Sequence, residues 1–163
     1  MKGLHPLVAT VLLISITLVA ISIALRVGDP LMTRSEEILV FQDAKNNILT
    51  LDTAINDVVV QGEGAKRAIK LSAVGGNYVF DDGTDQIKFE MDSASQIYAE
   101  GLSNFTDNIN ITGLSGEILM VKSYDKIDIM NEIAFGTGNW DVILTNEGYN
   151  SVLGKTELSV TVS

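Results

Sequence analysis

The sequence predicts an α+β chain: a long N-terminal hydrophobic α-helix, kinked near Gly28–Pro30, followed by an antiparallel β-rich, sandwich-like globular head. Three observations carry this prediction. The run from Leu4 to Leu25 is apolar and uncharged. From Phe41 to Val58 apolar residues recur at alternating spacings of three and four. After Gly64 the apolar period falls from the helical 3.6 towards 2.

The first element follows from its length. About 22 residues at about 1.5 Å each reach on the order of 33 Å, enough to cross a hydrocarbon core. Val, Ile and Leu fill every side of this helix, so it must be buried in something other than its own domain. Thr10, Ser15, Thr17 and Ser22 are tolerated there, because a hydroxyl can bond back to the carbonyl one turn earlier. Pro6 suits a first helical turn, where its missing N–H has no partner to lose. Charge returns at Arg26, and Gly28 with Pro30 should break or kink the helix.

A second, amphipathic helix reads from about Leu31 to Val60. Phe41, Ala44, Ile48, Leu51, Ile55 and Val58 make one stripe that packs against a domain; Asp43, Lys45, Asn46, Asn47, Asp52 and Asn56 lie off it. A coiled-coil seam is the alternative, but the stripe spans under three heptads. Gly62 and Gly64 close the helix.

Strands are expected at 68–74, 77–81, 86–91, 95–100, 109–112, 117–122, 126–130, 139–145 and 157–162, with Asp82–Gly83 as a hairpin turn. The last segment alternates Leu158, Val160 and Val162 with Glu157, Ser159 and Thr161, the pattern of a strand with one buried face. Short strands at this spacing suggest a sandwich or a small barrel.

The composition excludes several classes of function. A net charge of −10 argues against a nucleic-acid partner, whose phosphates need Lys and Arg. With no Cys and a single His, His5, neither a thiolate centre nor a His-based triad or metal site can be built. Asp81-Asp82-Gly83-Thr84-Asp85 clusters carboxylates but fails the spacing of a calcium loop, and a hairpin turn explains the same residues. Gly75-Gly76 and Gly136-Thr137-Gly138 lack the Lys and strand–helix setting of a phosphate loop. No cofactor, metal site or catalytic residue is expected. Trp140, Tyr149, Tyr78 and Tyr98 read as core or half-buried positions, with a sticky adhesive surface as the alternative. Asn104-Phe105-Thr106 and Asn110-Ile111-Thr112 are N-glycosylation sequons, which makes Asn104 and Asn110 candidate modification sites.

Three fates suit the apolar run: a signal peptide cut after Ala24, an uncleaved anchor, or the core of a polymer. Lys2-Gly3-Leu4 bears on the third. A basic residue and a Gly directly before the apolar run resemble the cleavage site of class III signal peptides. The run from Gly3 to Ile14, with Pro6 near its start, is similar to the N-terminus of archaeal type IV pilins. His5 stands where that family usually has Ser, and Val8 where bacterial pilins carry Glu.

The resemblance implies a leader of residues 1–3 removed between Gly3 and Leu4 by a prepilin peptidase. The periodicity divides the rest into a hydrophobic transmembrane helix over 4–28, an amphipathic helix over 29–62 and a β-rich head over 63–163. That is the shape of type IV pilins too, and the resemblance adds that the first helix lines the filament core while the heads coat the outside. The resemblance further implies a homopolymer raised by a pilus assembly machinery, held in the membrane before assembly, displayed at the cell surface and adhesive. A single-span, membrane-anchored extracellular β-sandwich binding protein is the alternative, and a solute-binding or surface-layer component a third class.

Overall fold

A computed structural model of the chain describes residues 6–163, save the side chain of Leu7. It contains one helix among the described residues, α1 (Pro6–Gln61), followed by ten strands. These are β1 (Lys66–Ala73), β2 (Asn77–Asp81), β3 (Gln86–Asp92), β4 (Ser103–Thr106), β5 (Ile109–Leu114), β6 (Glu117–Ser123), β7 (Ile127–Ile129), β8 (Ile133–Phe135), β9 (Gly138–Asn150) and β10 (Lys155–Val162).

Of the break or kink that the sequence predicts at Gly28 and Pro30, the break does not occur: helix α1 is continuous through both residues. Pro30 removes one donor, the amide that would bond the Arg26 carbonyl. A single lost bond is tolerated because the turns on both sides propagate cooperatively. The division within α1 falls further on. Every described side chain up to Glu36 is exposed apart from the half-buried Gly28, and Glu37 is the first buried residue. Residues 6–36 are therefore a free shaft about 46 Å long at about 1.5 Å per residue. From Glu37 onwards α1 is embedded in the head.

The embedded part buries the expected stripe. Ala44, Ile48, Leu51, Ile55 and Val58 are almost completely buried, joined by Ala54, while Phe41 is half-buried. Each fully buried aliphatic side chain contributes about 1.5–3 kcal/mol relative to exposure. Gly62 (φ +94°) ends the helix in a left-handed conformation that only Gly adopts without strain.

The strands form two sheets, one ordered β1-β9-β10-β7 and the other β4-β5-β6-β3-β2-β8. All pairs are antiparallel except β7 with β10. C-terminal strand β10 is thus central to its sheet, with Leu158 and Val160 buried as the alternation requires. Tyr78 and Phe80 of β2, Ile87 and Phe89 of β3, and Ile118 and Met120 of β6 point inward from the six-stranded sheet. These rows, Val142 and Leu144 of β9 and the α1 stripe form one continuous core. Gly76 (φ +75°) lies against it so closely that a Cβ would overlap the Phe89 ring and the Glu90 carbonyl.

Three local expectations need correction. Residues 95–100 form no strand: Gln96 takes a positive φ of 47°, and this segment is held by α1 rather than by a neighbouring strand. Strands β4 and β8 are present where none is expected; both are short, and three or four residues carry too little alternation to register. In the β2–β3 hairpin the turn at Asp82–Gly83 forms as expected, but the left-handed residue is Asp85 (φ 52°).

Candidate assembly surface and modification sites

The shaft is apolar on its whole circumference from Pro6 to Leu25. Val11, Leu13, Ile16 and Leu18 are each at least 60% exposed. Its polar groups are satisfied internally. Thr10, Ser15, Thr17 and Ser22 donate to the carbonyls of Pro6, Val11, Leu13 and Leu18 at 2.8–3.0 Å, the back-bonding expected of hydroxyls in an apolar setting. The helix is long and apolar enough to cross a membrane, and its most apolar window has nothing of the head against it. Ser15, Ile16, Val19, Ala20 and Ile23 outline a shallow apolar concavity of about 340 Å³ on one side of the shaft. Small side chains at Ser15 and Ala20 leave room there for another helix to approach closely.

Where the shaft meets the head, polar chemistry takes over. Glu37 accepts hydrogen bonds from Ser93 Oγ at 2.9 Å, from Ser95 N at 3.1 Å and from Ser95 Oγ. Burial pushes its carboxyl up, but these donors outweigh burial and hold it below its ordinary value. Nearly three turns on, Asn47 donates to Ser72 O and to Tyr78 Oη, both at 3.0 Å, and so ties α1 to both sheets. Burial raises the Tyr78 phenol to about 12. Deeper still, Lys122 points inward from β6, against the rule that Lys stays exposed. It pairs with Asp52 at 3.2 Å, and its ammonium lies over the Tyr124 ring.

A groove of about 460 Å³ runs beneath the head between α1 and the C-terminal end of β3, with Glu36, Glu90, Asp92 and Glu117 among its walls. No group of three His, Cys, Asp or Glu side chains suited to a metal ion occurs among the described residues. Two of the three carboxylates at 81–85 are already engaged. Asp81 takes Lys88 and the Thr84 amide; Asp85 takes Lys155 and the Ile129 amide at 2.9 Å. Lys88 beside Asp81, chiefly, holds that carboxyl below its usual range.

The four aromatic candidates are not brought together. Tyr78 is fully buried, Tyr98 stacks on Phe41, and Trp140 donates to Gly136 O at 2.8 Å. Tyr149 alone is open, 69% exposed. It belongs to a surface the aromatic pattern does not reveal: the tip of the β9–β10 hairpin, where Val152 is 91% exposed and Leu153 also faces solvent. The tip lies by the C-terminal end of α1, as Asn146 bonds Val58 O and Gly148 abuts Glu63. Val152-Leu153 between Asn150 and Gly154 is the sequence signal, two apolar residues in a turn.

Of the candidate site residues, Gly3 and Leu4 lie outside the described residues. Asn104 falls on β4 and Asn110 on β5, both exposed. The register sets Asn104 opposite the buried Ile111 and Asn110 opposite the exposed Phe105, so the two sequons occupy opposite faces of the sheet. No protein family, curated protein or solved structure matches the chain.

Proposed function

We propose that the chain is a structural subunit of an extracellular type IV pilus-like filament, without catalytic activity. In this scheme a prepilin peptidase cuts between Gly3 and Leu4, the membrane holds the shaft, and an assembly machinery transfers it into a homopolymer. One observation carries the proposal: an all-round apolar shaft, free of its own head, continues without a break into a helix locked into that head. A load on the shaft then passes directly to the β core.

Lipid is as apolar as a neighbouring helix, so leaving the membrane brings no large hydrophobic gain. Close packing among many shafts, aided by the concavity at Ser15 and Ala20, and contacts between heads supply the net stability. The contact between copies must be head-to-tail, since a two-fold contact closes rather than extends. Adhesion and N-linked sugars belong to the same proposal, and an archaeal source fits the resemblance at Gly3–Ile14.

The second reading is a single-span anchor bearing a binding head outside the cell. The open hairpin tip at Tyr149, Val152 and Leu153 favours it as a contact surface. Negative-stain microscopy of sheared surface appendages, with peptide identification, separates the two. Filaments containing this chain support the pilus, whereas recovery of the chain from membranes alone supports the anchor.

A further inference from the structure

The six-stranded sheet ends in β4, and this edge is protected differently from the other three. An open strand edge exposes unpaired amides and carbonyls that invite pairing with another chain, and proteins blunt it with charge, Pro or a cover. Edge strand β1 carries Lys66, Arg67 and Lys70; β7 carries Asp128 and follows Lys126; β8 follows Glu132. From Gly101 to Thr106 there is no charge and no Pro, while Leu102 is 59% and Phe105 69% exposed. The next residue, Asp107, is turned back to Lys45 of α1 at 2.7 Å.

What this edge has instead is the two sequons, one on each face. Asn104 sits on β4 itself, in the inward row where the core runs out. Asn110 sits beside Phe105 in the outward row, and its Oδ1 accepts from Ser103 Oγ at 2.6 Å. The carbonyl end of that amide is thereby held, while Nδ2, the atom a glycan would occupy, makes no bond among the described residues.

We propose that N-linked glycans on Asn104 and Asn110 bracket β4 from both faces and act as the guard of this uncharged edge, preventing pairing between heads and covering Phe105. The proposal rests on the head lying outside the cell, whether on a filament or on an anchor. The chemistry needs a lipid-phosphate-linked oligosaccharide as co-reactant. Asparagine Nδ2 attacks the anomeric carbon, an N–C bond forms, the anomeric C–O bond to the lipid phosphate breaks, and the Nδ2 proton is released as the lipid phosphate leaves.

The test starts with mass spectrometry of the full chain from its native cells, which reads sequon occupancy and the N-terminal residue together. Sugar mass on the peptides holding Asn104 and Asn110 is the expected result. Sedimentation of the detergent-solubilised chain should then find one monomeric species. Thr106→Val with Thr112→Val, which abolishes both sequons but keeps both asparagines, should shift with concentration to dimers and larger species. Phe105→Lys added to that pair should restore the monomer. Glycosidase treatment of the folded wild type should reproduce the association without any substitution. Bare asparagines in the native protein, or a sugar-free chain as monomeric as the wild type, would overturn the proposal. An uncut leader with occupied sequons sinks the filament scheme alone; a cut leader with bare asparagines sinks only the guard.

Discussion

Glu37 Oε2 accepts a hydrogen bond from Ser93 Oγ at 2.9 Å, and that bond marks the place where a free helix becomes part of a folded head. Together with the two Ser95 donors it holds the segment after β3 against α1 across more than 50 positions of sequence. Glu37→Ala leaves those donors without their acceptor. A buried hydrogen bond to a charged group is worth about 1.5–3 kcal/mol, so a loss of that order is expected in the free energy of unfolding measured with denaturant. Hydrogen exchange should quicken first at residues 93–97. Unchanged exchange there would mean that Glu37 does not anchor the head.

Gly28 has nothing within 4 Å of where a Cβ would stand. Gly28→Ala should therefore stiffen the shaft by about 1 kcal/mol, the ordinary difference between the two residues in a helix. Pro30→Ala restores the amide that bonds Arg26 and removes a penalty of about 3 kcal/mol. Both should slow amide exchange over 26–34 and leave the unfolding midpoint of the head where it was. A matching rise in head stability would show that shaft and head unfold as one unit.

The Asp52–Lys122 pair should respond asymmetrically. Asp52→Ala strands the ammonium of Lys122, whose side chain is 8% exposed, which is expected to cost about 3–5 kcal/mol by denaturant unfolding. Replacing both members, as Asp52→Leu with Lys122→Met, should recover most of that loss, because apolar residues need no partner. Equal losses in the single and double variants would rule out the charge as the cause.

Ala20→Phe fills the shallow concavity on the shaft while keeping it apolar. Membrane insertion and head stability should be unaffected. Filament yield, read by microscopy of sheared appendages, should fall at least tenfold if a loss of about 1.4 kcal/mol per contact is transmitted to assembly. Filaments at wild-type yield would place the packing face elsewhere on the shaft.

Stability should fall at both ends of the pH scale. Glu37 and Asp81 are held below their ordinary values of 4.5 and 3.8, so the unfolded chain takes up protons first as the medium is acidified. Their contribution is complete at neutral pH and is lost as pH falls below those values. Buried Tyr78 works in the opposite sense. The unfolded phenol ionises near 10 and the native one near 12, so its contribution is intact below 10 and disappears between 10 and 12. Urea midpoints across the range check both signs, and Tyr78→Phe should flatten the alkaline limb.

Regular patterns were the legible part of this chain. The stripe from Ala44 to Val58 and the alternation of Leu158 and Val160 reappear as buried rows, since periodicity reports directly on which face meets the core, and the hairpin turns at Asp82–Gly83 as its residues require. Local rules misled where a distant partner or a long neighbour decided the outcome. Pro30 is a breaker by local rule, yet it is carried by a helix of 56 residues. Residues 95–100 read as extended, but Ser95 is captured by Glu37 and Tyr98 by Phe41, contacts invisible to a short window. Lys122 points inward because Asp52 waits opposite, a pairing no strand pattern encodes. The candidate modification residues were legible as motifs; their position on two faces of one sheet edge required the register.

The central claim is that the apolar shaft is prepared for a polymer by a cut at its very start. Intact-mass measurement of the chain recovered from surface filaments tests this most directly. A first residue of Leu4, with the whole shaft retained, is the predicted result. A chain beginning at Met1, or one beginning at Leu25 with the shaft gone, would contradict it.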